Sequence, residues 1–459
     1  MSLHRITGER NQHWCLPPAL EDVIPPDDLC RFVPQVVEHL DLKAFVRNRN
    51  PRGDGAPQYD PAILLAIWFY ALARGVRSSR AVEAQCRENF KYMYVARRTT
   101  PDHGTLCRFR VEHREAFEAA FEEWLTILHR ARMLSSEVVA LDGTKIAANA
   151  ALEANRTLPE LKKEIRRTVK RISGEIDRAE EEVPEEIRIT PEMMRECPRL
   201  TRLVEAKRRL DEEKKKVLEE QNRKIEGHRE EHKRGNPPKS LEETAKEFDE
   251  ERKINVTDPE SRPLKGRGGV IQGCNVQAVV NRDQIILSVA IADAGNDIRQ
   301  LVPMTERLLA TEENLGIPAP KVILADAGYH TPRGILTLQD KGIECLIPPD
   351  RQALVRQYGE MSPTDPRLTD TASLMREALR SEEKRKLYDL RKIMIEPVFG
   401  QIKESMGFRR FLLRGNPKQG MEILQVCLVH NIMKIYRKLK GLCGRTMEEV
   451  LFSKASPAV

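Results

Sequence analysis

Three acidic residues stand where the surrounding sequence is apolar. Asp142 follows the run EVVAL and precedes Gly143, and Asp326 follows the run KVILA. Both runs are typical of buried strands, so both acids are predicted at the carboxyl ends of strands, where α/β sheets place ligands and reactive groups. Glu396 lies in KIMIEPVFGQI, a predicted helix that otherwise offers apolar residues to a core. A carboxylate in such a place is costly to bury unless it is paired or bound to a cation.

Together the three acids predict a metal site. Oxygen ligands favour Mg²⁺ or Mn²⁺, and Mg²⁺ is usually bound through a few carboxylates plus substrate phosphates. Two such ions can activate water or a 3′-hydroxyl and stabilise the leaving oxygen in an in-line displacement at phosphorus. Taken singly, each acid also has an ordinary explanation, because Asp before Gly is common in turns and a lone helical Glu normally faces solvent.

Basic residues surround Glu396 in the sequence. Lys403 follows it by seven residues, two turns along the same helical face. Arg and Lys beside a metal-binding acid can hold phosphates, although a solvated basic face explains any one of them equally well. Phe408 and Phe411 interleave with these residues and are expected to pack rather than to stack on bases. The candidate phosphate-contacting residues are Tyr388, Arg391, Lys392, Lys403, Arg409, Arg410 and Arg414.

The elements that would position these residues lie in 134–150 and 255–459. Short apolar, β-branched runs bounded by Gly, Asp, Asn or Pro predict strands, and five occur here: SEVVALDG, VIQGCNVQAVV, QIILSVAIA, KVILADAG and IECLIPP. RQLVPMTERLLA and the stretch 385–405 are predicted to be helical. Three strands in close order, then helix, strand, strand and helix, predict a mixed five-stranded α/β sheet.

The N-terminal third is predicted to be helical. Residues 1–57 form a Pro- and Asp-rich lead-in, and 58–133 hold short helices joined by tight turns. Asp60 can cap the first of these helices with Pro61 in its first turn, and Thr99 or Thr100 can cap a later one ahead of Pro101. These are the ingredients of a helix-turn-helix DNA reader, but a generic helical bundle has the same pattern.

Residues 151–254 differ sharply in composition, with about half of the residues charged and both signs interspersed. Two apolar stripes at helical spacing, separated by prolines, predict an inserted antiparallel helical hairpin. The mixed charge favours a spacer or an assembly element over a DNA-gripping arm, which should be mostly basic. The stripes are Leu161, Ile165, Val169, Ile172, Ile176 and Val183, then Leu203, Leu210 and Val217.

Composition narrows the class of protein. The formal net charge of +7 over 459 residues suits a nucleic-acid partner, although many basic proteins have none. No apolar run approaches the roughly 20 residues that span a membrane, and the N-terminus lacks the pattern of a signal peptide. We therefore expect a cytoplasmic protein without membrane contact. The nine cysteines show no metal-ligand spacing and are expected to be reduced, packed thiols.

Several runs resemble a known family. PDHGTLCRFR resembles part of the helical N-terminal domain of bacterial insertion-sequence transposases. LDGTKIAANA, GCNVQAVVNRDQIILSVAIADAGNDIRQL, ILADAGYHT and IEPVFGQIKESMGFRRFLLRG look like the successive blocks of their DDE catalytic domain. The resemblance covers nearly the whole chain apart from the charged hairpin, and the blocks occur in the expected order.

The resemblance implies an RNase H-like core that cuts DNA at the terminal inverted repeats and joins it to target DNA. It implies two catalytic metal ions (Mg²⁺ or Mn²⁺), a triad of Asp142, Asp326 and Glu396, and at least a dimer on DNA. Two alternatives remain open: a catalytically inactive DNA-binding regulator derived from a transposase, and a metal nuclease without strand transfer.

The resemblance also extends to further residues. Many members of the family have a Tyr, Arg, Glu, Lys signature, which Tyr388, Arg391, Glu396 and Lys403 resemble. One extra residue separates the arginine from the glutamate, so Lys392 occupies the nominal arginine position. Three other residues match family blocks: Asn275 and Gln277, which we interpret as strand positions, and Asp297, which we interpret as a helix N-cap rather than a fourth metal ligand.

Overall fold

The computed structural model describes residues 19–46, 57–172, 189–230, 237–266, 268–292, 295–349 and 367–440. The chain divides into two compact units, residues 1–133 with 428–459, and residues 134–427. No helix in the described ranges is long and apolar enough to cross a membrane. The described cysteines are free thiols, and most of them are buried, as expected.

The described part of the first unit is helical. Its helices up to residue 133 are α1 (Leu29–Glu38), α2 (Pro61–Ala73), α3 (Ser79–Glu88), α4 (Phe90–Val95), α5 (His103–Glu112) and α6 (Arg114–Arg130). The predicted start of α2 is confirmed, because the Asp60 carboxylate accepts from the backbone N–H of Ala62. The predicted cap of α5 is wrong. Asp102 caps it instead, since its carboxylate accepts from the N–H groups of both Gly104 and Thr105.

The second unit contains a mixed sheet. The strands in chain order are β1 (Val138–Ala147), β2 (Asn155–Arg156), β3 (Ile254–Asn255), β4 (Arg262–Gly266), β5 (Gly269–Asn281), β6 (Ile286–Ala292), β7 (Val322–Ala325) and β8 (Glu344–Leu346). The sheet runs β5-β1-β7-β8, and both β4 and β6 pair with β5; β2 and β3 form a separate pair. Pairings of β5 are antiparallel, whereas β1–β7 and β7–β8 are parallel. The predicted mixed α/β sheet is confirmed, with β4 as an additional strand.

Strand β1 is longer than predicted. The sequence placed Asp142 at its end, but β1 continues to Ala147 because β5 pairs with it as far as Gly273. The parallel partner β7 stops earlier, with Ala325 opposite Leu141. Asp142 therefore lies inside a strand, at the point where pairing with β7 ends.

The described residues of the charged insertion include four α-helices: α7 (Leu158–Ile172), α8 (Pro191–Glu196), α9 (Pro198–Glu230) and α10 (Leu241–Glu251). The predicted stripes are buried against each other, with Leu161 and Ile165 of α7 facing the same core as Leu203 and Leu210 of α9. Phe248 of α10 joins this core, so the predicted hairpin has a third packed helix. The stripe positions Ile176 and Val183 lie outside the described residues.

The remaining helices are α11 (Leu301–Leu315), α12 (Pro332–Asp340), α13 (Arg367–Ala378), α14 (Glu382–Gly400) and α15 (Asn416–Lys440), with a π-helical turn at Gln401–Ser405 directly after α14. Helix α14 packs on β1, β5 and β7 through Met394, Ile395 and Val398. Ile393, which the sequence assigned to the core, is 62% exposed because this face of α14 turns away from the sheet.

Candidate active site

Asp142 and Asp326 are neighbours across two parallel strands. Leu141 of β1 pairs with Ala325 of β7, and the residues that follow them directly are Asp142 and Asp326. The Asp326 carboxylate accepts from the N–H of Gly328 at 2.9 Å, and Asp142 Oδ1 accepts from the N–H of Gly143 at 2.8 Å. Both side chains are thus oriented by their own backbone, and the structure brings together two of the three predicted acids.

The environment disfavours negative charge on this pair. Burial raises the pKa of Asp142 to about 6, and repulsion from Asp326 and Asp297 adds to the effect. Burial, followed by repulsion from Asp297, also raises the pKa of Asp326. Opposing this, the Arg391 guanidinium lowers the pKa of both aspartates. The pair has an excess of negative charge that a cation would offset.

Arg391 links the aspartate pair to Glu396. Its Nη1 donates to Asp142 Oδ2 at 3.3 Å, and its Nη2 lies 4.0 Å from Glu396 Oε1. The Arg391 side chain is only 11% exposed, whereas the neighbouring Lys392 faces solvent. Of the two candidates for the arginine position, Arg391 is therefore the one that faces the acids.

Glu396 does not join the aspartates directly. Its side chain is 59% exposed, so the expectation of an acid among apolar core residues is wrong. Helix α14 turns its apolar face toward the sheet and leaves Glu396 at the edge, beside Arg391. Within the described ranges, no group of three or more His, Cys, Asp or Glu side chains is arranged to hold a metal ion. Asp142 and Asp326 nevertheless fit a hard cation, because both offer oxygen ligands and form a half-buried pair of like charges.

Asp297 is a fourth acid at this site. Its Oδ1 accepts from Asn275 Nδ2 at 2.9 Å and from Gln277 Nε2 at 2.7 Å. The expectation that Asp297 caps a helix is wrong, because Gln300 is the N-cap residue of α11 and makes no side-chain capping bond. The two amides of β5 instead hold the Asp297 carboxylate beside the aspartate pair.

A buried hydrogen-bond chain continues from Asp297. The Gln277 amide donates to Asp297, and its carbonyl oxygen accepts from the Tyr329 hydroxyl. Burial raises the pKa of Tyr329, so its hydroxyl stays a donor. The sequence did contain a signal for this network. Asn275 and Gln277 are polar residues two apart in an otherwise apolar strand, and residues two apart on a strand share one face.

The remaining basic residues are dispersed along the segment after α14. Lys403 is half-buried in the π-helical turn that follows α14. The seven residues from Glu396 to Lys403 are therefore not two regular α-helical turns, and the spacing does not by itself place the two side chains on one face. Arg409 pairs with Glu404, and Arg414 Nε donates to the backbone of Asn149 at 2.9 Å. Arg410 is exposed and bridges to the end of β1 through its backbone.

Phe408 and Phe411 pack in the core, as expected. Both are fully buried, and their rings meet edge-on with centroids 5.2 Å apart. The Phe411 N–H donates to Ala147 O at 2.8 Å, which attaches this segment to the end of β1. The aromatic pair therefore anchors the basic segment and does not offer a surface for bases.

Two family models match the chain. Residues 252–432 match the Transposase DDE domain, and residues 18–112 match a Transposase domain (DUF772). Together they cover more than half of the chain, and the first includes Asp326 and Glu396. The chain therefore belongs to the DDE transposases of insertion sequences. No curated protein and no solved structure gives a significant match.

Proposed function

We propose that the protein cuts DNA at the two ends of an insertion sequence and joins the freed 3′-hydroxyls to target DNA. The observation that carries this proposal is the placement of Asp142 and Asp326 side by side on the central parallel strand pair, with Arg391 between Asp142 and Glu396. The order β6-β5-β1-β7-β8, antiparallel on one side of β1 and parallel on the other, supports an RNase H-like core.

In the proposed reaction, water first attacks the phosphodiester at each element end and releases a 3′-hydroxyl. That hydroxyl then attacks a phosphodiester of the target, and the target's own 3′-oxygen leaves. Asp142 and Asp326 face the reacting phosphate as carboxylates, and Arg391 contacts its non-bridging oxygens. Glu396, exposed at the edge of α14, completes the acidic set when DNA is bound.

Asp142 and Asp326 would hold Mg²⁺ or Mn²⁺, with two ions in the full site and Glu396 as a further ligand. When bound, these ions supply an activated nucleophile and stabilise the leaving oxygen. The Asp297 network would position the aspartates through the backbone that binds them. A Cβ at Gly143 or at Gly328 would meet Asp297, and the N–H groups of these two glycines donate to Asp142 and Asp326.

Recognition of the terminal inverted repeats is proposed for the helices within 58–133. The segment with Lys403, Arg409, Arg410 and Arg414 would hold the strand near the break, together with Tyr388 and Arg391. Cutting at both ends and joining them in one event requires at least two copies of the site, so we propose a dimer or larger assembly on DNA.

The test is cleavage and joining of a labelled duplex that carries the element's end repeats, with Mg²⁺ or Mn²⁺ and with chelator. We expect metal-dependent nicking and a joined product, both lost in Asp142→Asn and in Glu396→Gln. Glu383→Gln is the matched control, because Glu383 is an exposed acid in the first turn of the same helix α14. It should retain both activities.

The alternatives predict different outcomes in the same assay. A metal nuclease gives cleavage without joined product. A regulator that kept only the scaffold binds the end repeats in any metal and cuts nothing. Either result would overturn the proposed cut-and-join reaction.

A further inference from the structure

Helix α7 in the insertion concentrates positive charge on its outer surface. Its apolar residues, including Leu161 and Ile165, face the core that it shares with α9. The rest of the helix carries six basic residues and only two acids, Glu160 and Glu164. The basic residues are Lys162, Lys163, Arg166, Arg167, Lys170 and Arg171. The insertion as a whole has mixed charge, but the exposed surface of α7 is predominantly basic.

A groove runs along this surface. A cavity of about 650 Å³ is lined by five cations and two acids: Lys163, Arg167 and Arg171 of α7, Arg156 and Arg199 from the segments on either side, and Glu160 and Glu164 of α7. The Glu164 carboxylate within it accepts from Arg156 Nε at 3.0 Å and also from Arg199. Burial raises the pKa of Glu164, but the bonds from Arg199 and Arg156 outweigh it and leave the pKa below its usual value. Glu164 thus stays charged and fixes the two arginines at the groove wall.

Several cations of α9 have carboxylate partners. Lys207 pairs with Asp211, Arg209 pairs with Glu205 and Glu260, and Lys214 pairs with Asp249 of α10. Lys163 and Arg171 of α7, by contrast, form no ion pair with any residue that the structure describes. Cations left without an internal carboxylate are available to an external anion.

We propose that this groove, formed by α7 with Arg156 and Arg199, binds the phosphate backbone of duplex DNA. The argument is charge complementarity: several guanidinium and ammonium groups line one concave surface, and the anion of highest charge density that a DNA-processing protein meets is the duplex backbone. Helix α7 offers amines and guanidinium groups at successive turns, which suits a row of phosphates rather than one base edge. The inference rests on the proposed function and gives the insertion a role in DNA binding rather than in assembly alone.

The test is equilibrium binding of the full chain to a fluorescent duplex, measured by anisotropy at several salt concentrations. The variant Lys163→Glu/Arg171→Glu reverses the charge of the two groove cations that have no ion pair among the described residues. The matched control is Lys215→Glu/Lys216→Glu, which makes the same change in net charge on exposed residues of α9. Lys215 lies about 24 Å along α9 from Arg199, at 1.5 Å per residue. Thermal melting of each variant verifies that the fold is intact.

We expect the groove variant to weaken binding by roughly tenfold at 0.1 M salt, and to reduce the slope of log affinity against log salt by about 2. The loss should be equal for end-repeat DNA and for unrelated duplex, because backbone contacts carry no sequence information. The control should change neither quantity appreciably.

Unchanged affinity in a folded groove variant, or an equal loss in the control, would overturn the proposal. Cleavage by the unmodified chain is measured alongside. Groove-dependent binding without cleavage would contradict the proposed reaction alone, and cleavage with unchanged binding would contradict the groove alone.

Discussion

Arg391 Nη1 donates to Asp142 Oδ2 at 3.3 Å, although the two residues are 249 positions apart in the sequence. The same guanidinium lies 4.0 Å from Glu396. The guanidinium therefore lies between the proposed catalytic acids. Its positive charge offsets the negative charge of the acids and would offset that of a bound substrate phosphate. The neighbouring Lys392 points to solvent from the same helix.

The first prediction separates these two cations. Arg391→Ala should lower the cleavage rate by about 100-fold, the typical effect of removing one donor from a developing anion. Lys392→Ala removes a cation of the same sign from the adjacent position and should change the rate little. Single-turnover cleavage of the end duplex measures both. Equal losses of cleavage rate in the two variants would contradict the prediction that Arg391, and not Lys392, contacts the phosphate.

A second prediction concerns Asp297 as a residue that positions the aspartate pair. Asp297→Asn replaces the acceptor of the Asn275 and Gln277 amides with a neutral group. Cleavage should fall by about 10- to 100-fold, as for other residues that orient metal-binding side chains. Affinity for Mn²⁺, measured by calorimetry, should fall in parallel while the melting temperature changes little. Asp389→Asn, an exposed acid on α14, is the control and should alter none of the three.

Gly143 provides a third prediction, because a side chain there would collide with the same network. A Cβ at this position would contact Gln277 Nε2 and would lie 2.6 Å from Asp297 Oδ1. Gly143→Ala should therefore destabilise the fold by about 1–3 kcal/mol in urea unfolding. Gly227→Ala in α9 meets no atom within 4 Å and should instead stabilise it by about 0.5–1 kcal/mol. If Gly143→Ala leaves the unfolding free energy unchanged, the side chains around Asp297 can move to make room for the added methyl group without strain.

The fourth prediction is a pH dependence of stability that arises from Glu312. Burial in α11 raises its pKa to about 8 from 4.5, against a smaller lowering by the Ser136 hydroxyl. The folded state therefore binds a proton that the unfolded state has released, and stability falls as pH rises from about 4.5 to about 8. Glu312→Gln should flatten this part of the profile in urea unfolding. The adjacent, exposed Glu313→Gln should leave the fall intact, and an unchanged profile in Glu312→Gln would contradict the assignment.

The sequence alone predicted the features that depend on local pattern. Alternation and β-branching located the five strands, and the Asp60–Pro61 pair located the start of α2, because capping and strand periodicity involve residues close in the chain. The positions of Asp142 and Asp326 after apolar runs predicted that they would meet, since both runs are strands of one sheet. The apolar stripes of α7 and α9 likewise predicted their shared core.

Tertiary packing decided the rest. The length of β1 follows from pairing with β5, and no signal within its own run marks the end at Ala147. The role of Arg391 depends on which face of α14 packs on the sheet, and the role of Asp297 depends on the side-chain amides of Asn275 and Gln277 in β5. Both are contacts between segments far apart in the sequence, so the local pattern of residues does not predict them. The basic groove formed only when folding gave several α9 cations carboxylate partners, on α9 and on other segments, and left Lys163 and Arg171 of α7 exposed and without an ion pair among the described residues. Local propensities are set by neighbours in the chain, whereas side-chain partners are set by the geometry of the assembled fold.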